Sequence, residues 1–153
     1  MLQQRSTKLR LTPRHLVAAL VLTTLLCAAH VAHAAEPIVY TVKFPALETH
    51  LAEVEAVFPT GKRPAIELMM PSWSPGFYRV EDYASRVQNL TARTADGQLF
   101  TVEQPAKNRW RIATNGAASI IVSYKLLCNG RSVTTNWVSA ELLVLNGAAA
   151  FIT

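Results

Sequence analysis

Few residues in this chain are equipped for chemistry. Four histidines and two cysteines are spread over 153 residues, whereas a catalytic zinc site takes two or three histidines, or histidine with cysteines, around one ion. His15, His30, His33 and Cys27 all fall within the first 34 residues, leaving His50 and Cys128 alone in the rest. The helix motif H-E-x-x-H is absent, as are a G-x-S-x-G elbow, a P-loop and a G-x-G-x-x-G turn. In Glu48-Thr49-His50-Leu51-Ala52-Glu53 one imidazole stands among carboxylates ahead of a strand, which describes a surface histidine better than a ligand set. A Ser-His-Asp arrangement has only His50 to draw on, with nothing else to support it. Glu81 and Asp82 are neighbours in sequence and rarely would face each other, so a solvated pair is expected rather than an acid–base dyad. Cys128, flanked by Leu126, Leu127 and Asn129, has no histidine beside it to make a thiolate and reads as a buried or strand-end thiol. Asn89-Leu90-Thr91 matches the glycosylation pattern, which matters only in a eukaryotic secretory pathway.

One segment offers binding rather than bond-making chemistry. In Met69 to Tyr83, Pro71, Pro75 and Gly76 force a rigid excursion out of any strand. Trp73, Tyr78, Arg79 and Tyr83 then stand on a loop, where scaffolds usually carry function. A stiff aromatic loop of this kind lines a cleft or docks another domain. The plainer reading is a loop folded back to plug the open end of the fold.

The elements that position this loop begin after an export signal. Arg5, Lys8, Arg10 and Arg14 precede an uncharged apolar run from Leu16 to Ala29, followed by Ala32-His33-Ala34. A basic head, an apolar stretch and an A-x-A site describe a secretory signal peptide over residues 1–34. The run is short for a spanning helix, which needs about 20 apolar residues; an uncleaved signal is the one membrane attachment the sequence leaves open. The destination is periplasmic or secreted. Cleavage removes four of fifteen basic residues and none of the ten acidic ones, so the net charge falls from +5 to about +1. The remaining basic residues are scattered among acids, which excludes nucleic acid as the partner. Cys128 becomes the single cysteine, so no intrachain disulfide forms.

From Val39 onward apolar residues recur at period two, as on half-buried strands. Tyr40, Val42 and Phe44 share a face; so do Val54, Ala56 and Phe58, and Ile66, Leu68 and Met70. Trp110 with Ile112, and Ile120, Val122, Tyr124 and Leu126, continue the pattern, and Val133, Thr135 and Trp137 read as one face against Thr134 and Asn136. Asp96-Gly97, Asn115-Gly116, Asn129-Gly130 and Asn146-Gly147 stand between such runs as hairpin turns. Only Val80 to Val87 suits a short helical turn. With half its residues apolar the chain can bury a core without a disulfide scaffold. The expected fold of residues 35–153 is all-β: an antiparallel β-sandwich or saddle-like domain of eight or nine strands joined mostly as hairpins. The final Ala148 to Ile152 is apolar up to Thr153, unlike a polar domain tail, and reads as a truncated C-terminus.

Pro71-Ser72-Trp73-Ser74-Pro75-Gly76-Phe77-Tyr78, with Asp82-Tyr83-Ala84 and Val87-Gln88-Asn89, resembles the N-terminal domain of the glycyl aminopeptidase family. These are secreted or periplasmic zinc metallopeptidases that carry a PDZ domain. Tyr40-Thr41-Val42, Phe44-Pro45, Lys107-Asn108-Arg109-Trp110 and Leu145-Asn146-Gly147-Ala148-Ala149 extend the resemblance across residues 38–152. It implies a β-sandwich packed beside a thermolysin-like catalytic domain. The zinc-binding H-E-x-x-H, its downstream glutamate and the PDZ domain would lie C-terminal to Thr153. No position here matches a zinc ligand or general base, so no catalytic, metal or cofactor-binding residue is assigned. The resemblance therefore implies a chain inactive alone, with zinc only in the catalytic domain. The alternative is a free-standing secreted module that uses the Trp73–Tyr83 loop for a peptide or protein partner.

Overall fold

The structure, a computed structural model, describes residues 36–153. The signal peptide expected over residues 1–34, and with it Cys27, His15, His30 and His33, lies outside the described residues. Residues 36–153 form one compact unit, in which no helix is long and apolar enough to cross a membrane.

Two nine-residue strands form its spine. In β2 (Leu51–Pro59) and β7 (Ser119–Leu127) every second side chain is apolar, and the two pair antiparallel over their whole length. The register places Ala52 opposite Leu126, Val54 opposite Tyr124, Ala56 opposite Val122 and Phe58 opposite Ile120. All eight side chains are buried, and each large one contributes about 1.5–3 kcal/mol on leaving water. A slip of one residue would turn this whole set to solvent, so the hydrophobic pattern itself holds the register. The opposite face carries charge: Glu53 pairs with Lys125 at 3.6 Å, and Glu55 with Arg93 at 2.9 Å.

β1 (Val39–Lys43) flanks β2, and β4 (Val87–Arg93) flanks β7, giving a four-stranded sheet in the order β1-β2-β7-β4. β4 bulges between Gln88 and Thr91, where Asn89 takes a φ of 53°; the Asn89-Leu90-Thr91 sequence, with Asn89 and Thr91 exposed and Leu90 half-buried, therefore sits on an edge-strand bulge. The second sheet has the order β3-β6-β5, built from β3 (Ile66–Met69), β5 (Val102–Ala106) and β6 (Arg109–Ile112). Pro105 lies on β5, which is an edge strand, the one place a residue without an N–H costs the ladder nothing. Ile66, Leu68, Trp110 and Ile112 point inward and join the β2 and β7 side chains in a single core. A short third pair, β8 (Trp137–Val138) with β9 (Leu143–Val144), completes nine strands. The result is the expected all-β antiparallel architecture.

The connections differ from expectation. Consecutive strands pair directly only as β1–β2, β5–β6 and β8–β9; the other joins pass between sheets, because covering a core from two sides separates neighbours in sequence. Asn115 and Gly116 do adopt positive φ, 51° and 79°, but their turn carries the chain from one sheet to the other. Asn146-Gly147 is not a hairpin turn. Asn146 caps the helical turn Gly147–Ala150, its side chain accepting from the Ala148 amide at 3.1 Å. Between Asn129 and Asn136 no strand forms, and the faces are reversed: Val133 is exposed while Thr134 and Asn136 are buried. The buried hydrogen bonds of Asn136, described below, outweigh the apolar alternation there.

Candidate functional site

The Trp73–Tyr83 loop follows the end of β3, where Pro71 has no amide to donate. Ser74-Pro75-Gly76-Phe77 makes a tight turn closed by the Phe77 amide on the Ser74 carbonyl at 3.1 Å, with Gly76 at a φ of 82°. Proline followed by a positive-φ glycine is the signature of a type II turn. The base of the loop is closed by the Glu81 amide on the Ser72 carbonyl at 2.7 Å. A short 3-10 turn, Tyr83–Arg86, then leads into β4.

Buried polar groups bolt this loop to two others. The Tyr83 and Ser74 hydroxyls share a hydrogen bond of 3.0 Å, and Asn146 Nδ2 donates to Ser74 Oγ at 2.9 Å. The Asn146 amide donates to Asn136 Oδ1 at 2.8 Å, and Asn136 Nδ2 donates to the Ala149 carbonyl at 2.8 Å. Ser74, Tyr83 and Asn136 are all buried. Among the described residues no buried side-chain nitrogen or oxygen is left without a partner, so the network is complete and stiffens the loop. The C-terminal segment is fastened again by Tyr124, whose hydroxyl donates to the Ala150 carbonyl at 2.7 Å, and by Tyr40, whose hydroxyl donates to the Ile152 carbonyl. Burial pushes both phenols above their ordinary pKa, Tyr124 the more strongly.

Against this fixed backing the loop presents an apolar tip. Trp73 is 51% exposed, Tyr78 93% and Val80 85%. Arg79 lies over the Phe77 ring at 5.9 Å from its centroid. Of the seven residues singled out in the sequence, Trp73, Pro75, Gly76, Tyr78 and Arg79 are exposed and Pro71 is half-buried at the loop's root. Tyr83 turns inward into the core. It holds the loop rather than presenting itself to a partner. Ser74, Asn136 and Asn146 are the fixing residues that sequence reasoning missed; Asn146 before Gly147 and Ser74 before Pro75 read locally as turn residues, and Asn136 as a strand position opposite Val133 and Thr135.

The remaining candidates do not assemble into a reactive site. His50 takes a φ of 56°, its Nδ1 is bonded to the Val138 carbonyl, and its ring packs on Trp137 at 4.9 Å. Arg131 covers the same indole at 4.3 Å. Among the described residues no three His, Cys, Asp or Glu side chains come together to hold a metal, so these residues do not fit the zinc of a metallopeptidase. Cys128 is buried, and burial lifts its thiol to about 11, which makes it a poor nucleophile. Glu81 and Asp82 lie in the loop base, Asp82 exposed. A second apolar area, Val133, Leu142, Leu143 and Val144, is exposed around β8 and β9.

The family model of the peptidase M61 N-terminal domain matches residues 39–153. A crystal structure of an aminopeptidase N family protein from Idiomarina loihiensis is similar, with a TM-score of 0.61 and 27% identity. The similarity covers 67% of this chain but only 17% of that one. No curated protein matches the chain. The matched residues form a β-rich unit that corresponds to a small part of a larger aminopeptidase N family protein, and the chain belongs to the peptidase M61 N-terminal domain family.

Proposed function

We propose that this domain serves an exported, glycyl-aminopeptidase-like zinc metallopeptidase by packing against its catalytic domain, with the Trp73–Tyr83 loop shaping one wall of the cleft. The observation that carries this reading is the loop itself. Exposing Trp73, Tyr78 and Val80 to water is unfavourable unless something covers them, and the buried Tyr83–Ser74–Asn146 bonds prepay the ordering a docking surface needs. In this reading the zinc belongs to the catalytic domain rather than to this one. Export is read from the basic, apolar and A-x-A pattern of residues 1–34.

The nucleotide sequence after the Thr153 codon tests the assignment. An in-frame continuation containing H-E-x-x-H supports it. A stop codon together with a stable secreted product of this length overturns it in favour of a free-standing binding module. Peptidase activity in the purified 153-residue chain would overturn both. In a full-length enzyme, Trp73→Ala with Tyr78→Ala is expected to weaken peptide hydrolysis while leaving bound zinc at one equivalent per active site.

A further inference from the structure

The free edge of β3 carries an unfinished ladder. Thr153 and Met69 exchange both backbone hydrogen bonds, the Met69 amide to the Thr153 carbonyl at 2.7 Å and the Thr153 amide to the Met69 carbonyl at 2.9 Å. A mutual pair of this kind occurs only between antiparallel strands. It fixes a register in which Ile152 lies opposite Met70, and both side chains are fully buried. On its other side β3 pairs with β6, and the Met70 amide donating to the Asn108 carbonyl at 3.0 Å shows which residues turn that way. By alternation Ile66 and Leu68 also face β6, while the Glu67 N–H and C=O point out along the same edge as Met69.

We propose that this edge is a strand acceptor, which a polypeptide running on past Thr153 completes by lying antiparallel along β3 as the fourth strand of the second sheet. The proposal takes its occupant from the reading of this chain as the N-terminal domain of a longer protein. The first residue beyond Thr153 comes opposite Leu68 and points into the core, so an apolar side chain fits there. The second comes opposite Glu67 and uses its unpaired backbone groups. The opposite edge of the same sheet is closed to such an addition by Pro105 and by the bulge between Glu103 and Ala106. Backbone pairing of this kind binds through the main chain and takes its selectivity from alternate side chains.

Amide exchange at Glu67 tests the proposal on the whole chain. In the 153-residue protein this amide is expected to exchange rapidly, while those of Ile66 and Leu68 are protected by β6; a slow Glu67 amide there would overturn the proposal. The same chain is then extended after Thr153 by eight residues alternating valine and threonine, valine first. A control extension carries proline at its second and fourth positions, whose amides would face β3. The alternating extension should slow Glu67 exchange about tenfold or more, and the proline version should leave it unchanged. Equal exchange in the two, or equal slowing by both, overturns strand addition. Amides of β2 and β7 report that the fold is intact. The added strand is synthetic, so its outcome is independent of whether a catalytic domain follows in the gene, which is the point on which the peptidase reading stands or falls.

Discussion

Asn136 is the residue on which the loops depend most. Both ends of its amide are used, toward the Asn146 amide and the Ala149 carbonyl, and it is fully buried. Asn136→Ala leaves a donor and an acceptor without partners in the interior, which costs about 3 kcal/mol; urea unfolding of the variant against the parent measures it. The second residue-scale prediction concerns Cys128. Burial pushes the folded thiol up to about 11, from an ordinary value of 9.0. Below pH 9 the thiol is protonated whether folded or not, and its contribution is fully present. Between pH 9 and 11 the unfolded chain releases a proton that the folded chain keeps, so stability falls as pH rises. The loss is on the order of 2 kcal/mol across that window. Tyr124 and Tyr40, also raised by burial, add to the decline above pH 10. Urea midpoints at pH 8 and 10 should differ less in Cys128→Ala than in the parent; equal differences would remove the thiol from the account.

At the scale of elements, two glycines separate strain from space. Gly76 needs its φ of 82°, but nothing lies within 4 Å of a Cβ built there, so Gly76→Ala costs about 1 kcal/mol in backbone strain alone. Gly130 is the reverse. It has no positive φ, yet a Cβ would meet the Thr135 Cβ at 2.7 Å and Oγ1 at 2.6 Å. Thr135 would have to move, losing its bond to the Gly130 carbonyl at 2.8 Å and loosening the loop that ends at Asn136. Gly130→Ala is expected to cost about 2 kcal/mol or more, and chemical unfolding of both variants checks the order. Legibility varied in the same physical way. β2 and β7 alternate without interruption and were readable residue by residue. β4 is broken by the Asn89 bulge and β5 by Pro105, so neither shows a clean period. The Val133-to-Trp137 run shows one, but Asn136 turns inward because the Ala149 carbonyl and the Asn146 amide partner it there, while Thr134 is buried with the hydroxyl of neighbouring Ser132 as its partner.

For the whole molecule, the apolar residues left outside are the main consequence. Trp73, Tyr78 and Val80 on one loop, and Val133, Leu142, Leu143 and Val144 around β8 and β9, are exposed together on a domain with little net charge once residues 1–34 are removed. The purified chain is expected to self-associate, with sedimentation coefficients that rise with concentration. Replacing Leu142 and Leu143 by serine should shift it toward monomer while changing stability by less than about 1 kcal/mol. A parent chain that stays monomeric at high concentration would count against a covered face.

The sequence by itself determined the faces of β2 and β7, the all-β class and the rigid aromatic excursion at Pro71 to Tyr83, because period-two alternation and proline–glycine turns are properties of a few consecutive residues; the family came from the resemblance of whole motifs such as Pro71 to Tyr78. Only the tertiary structure decided that Tyr83 turns inward, that Asn146 is a clamp rather than a hairpin-turn residue and Asn136 a clamp rather than a strand position, and that Thr153 pairs with Met69 along the edge of β3. Each of those outcomes depends on a partner far away along the chain, such as Asn146 for Ser74 or Met69 for Thr153. A side chain's local pattern cannot name such a partner; it is fixed only when two sheets close on one core and leave a buried donor a single acceptor within reach.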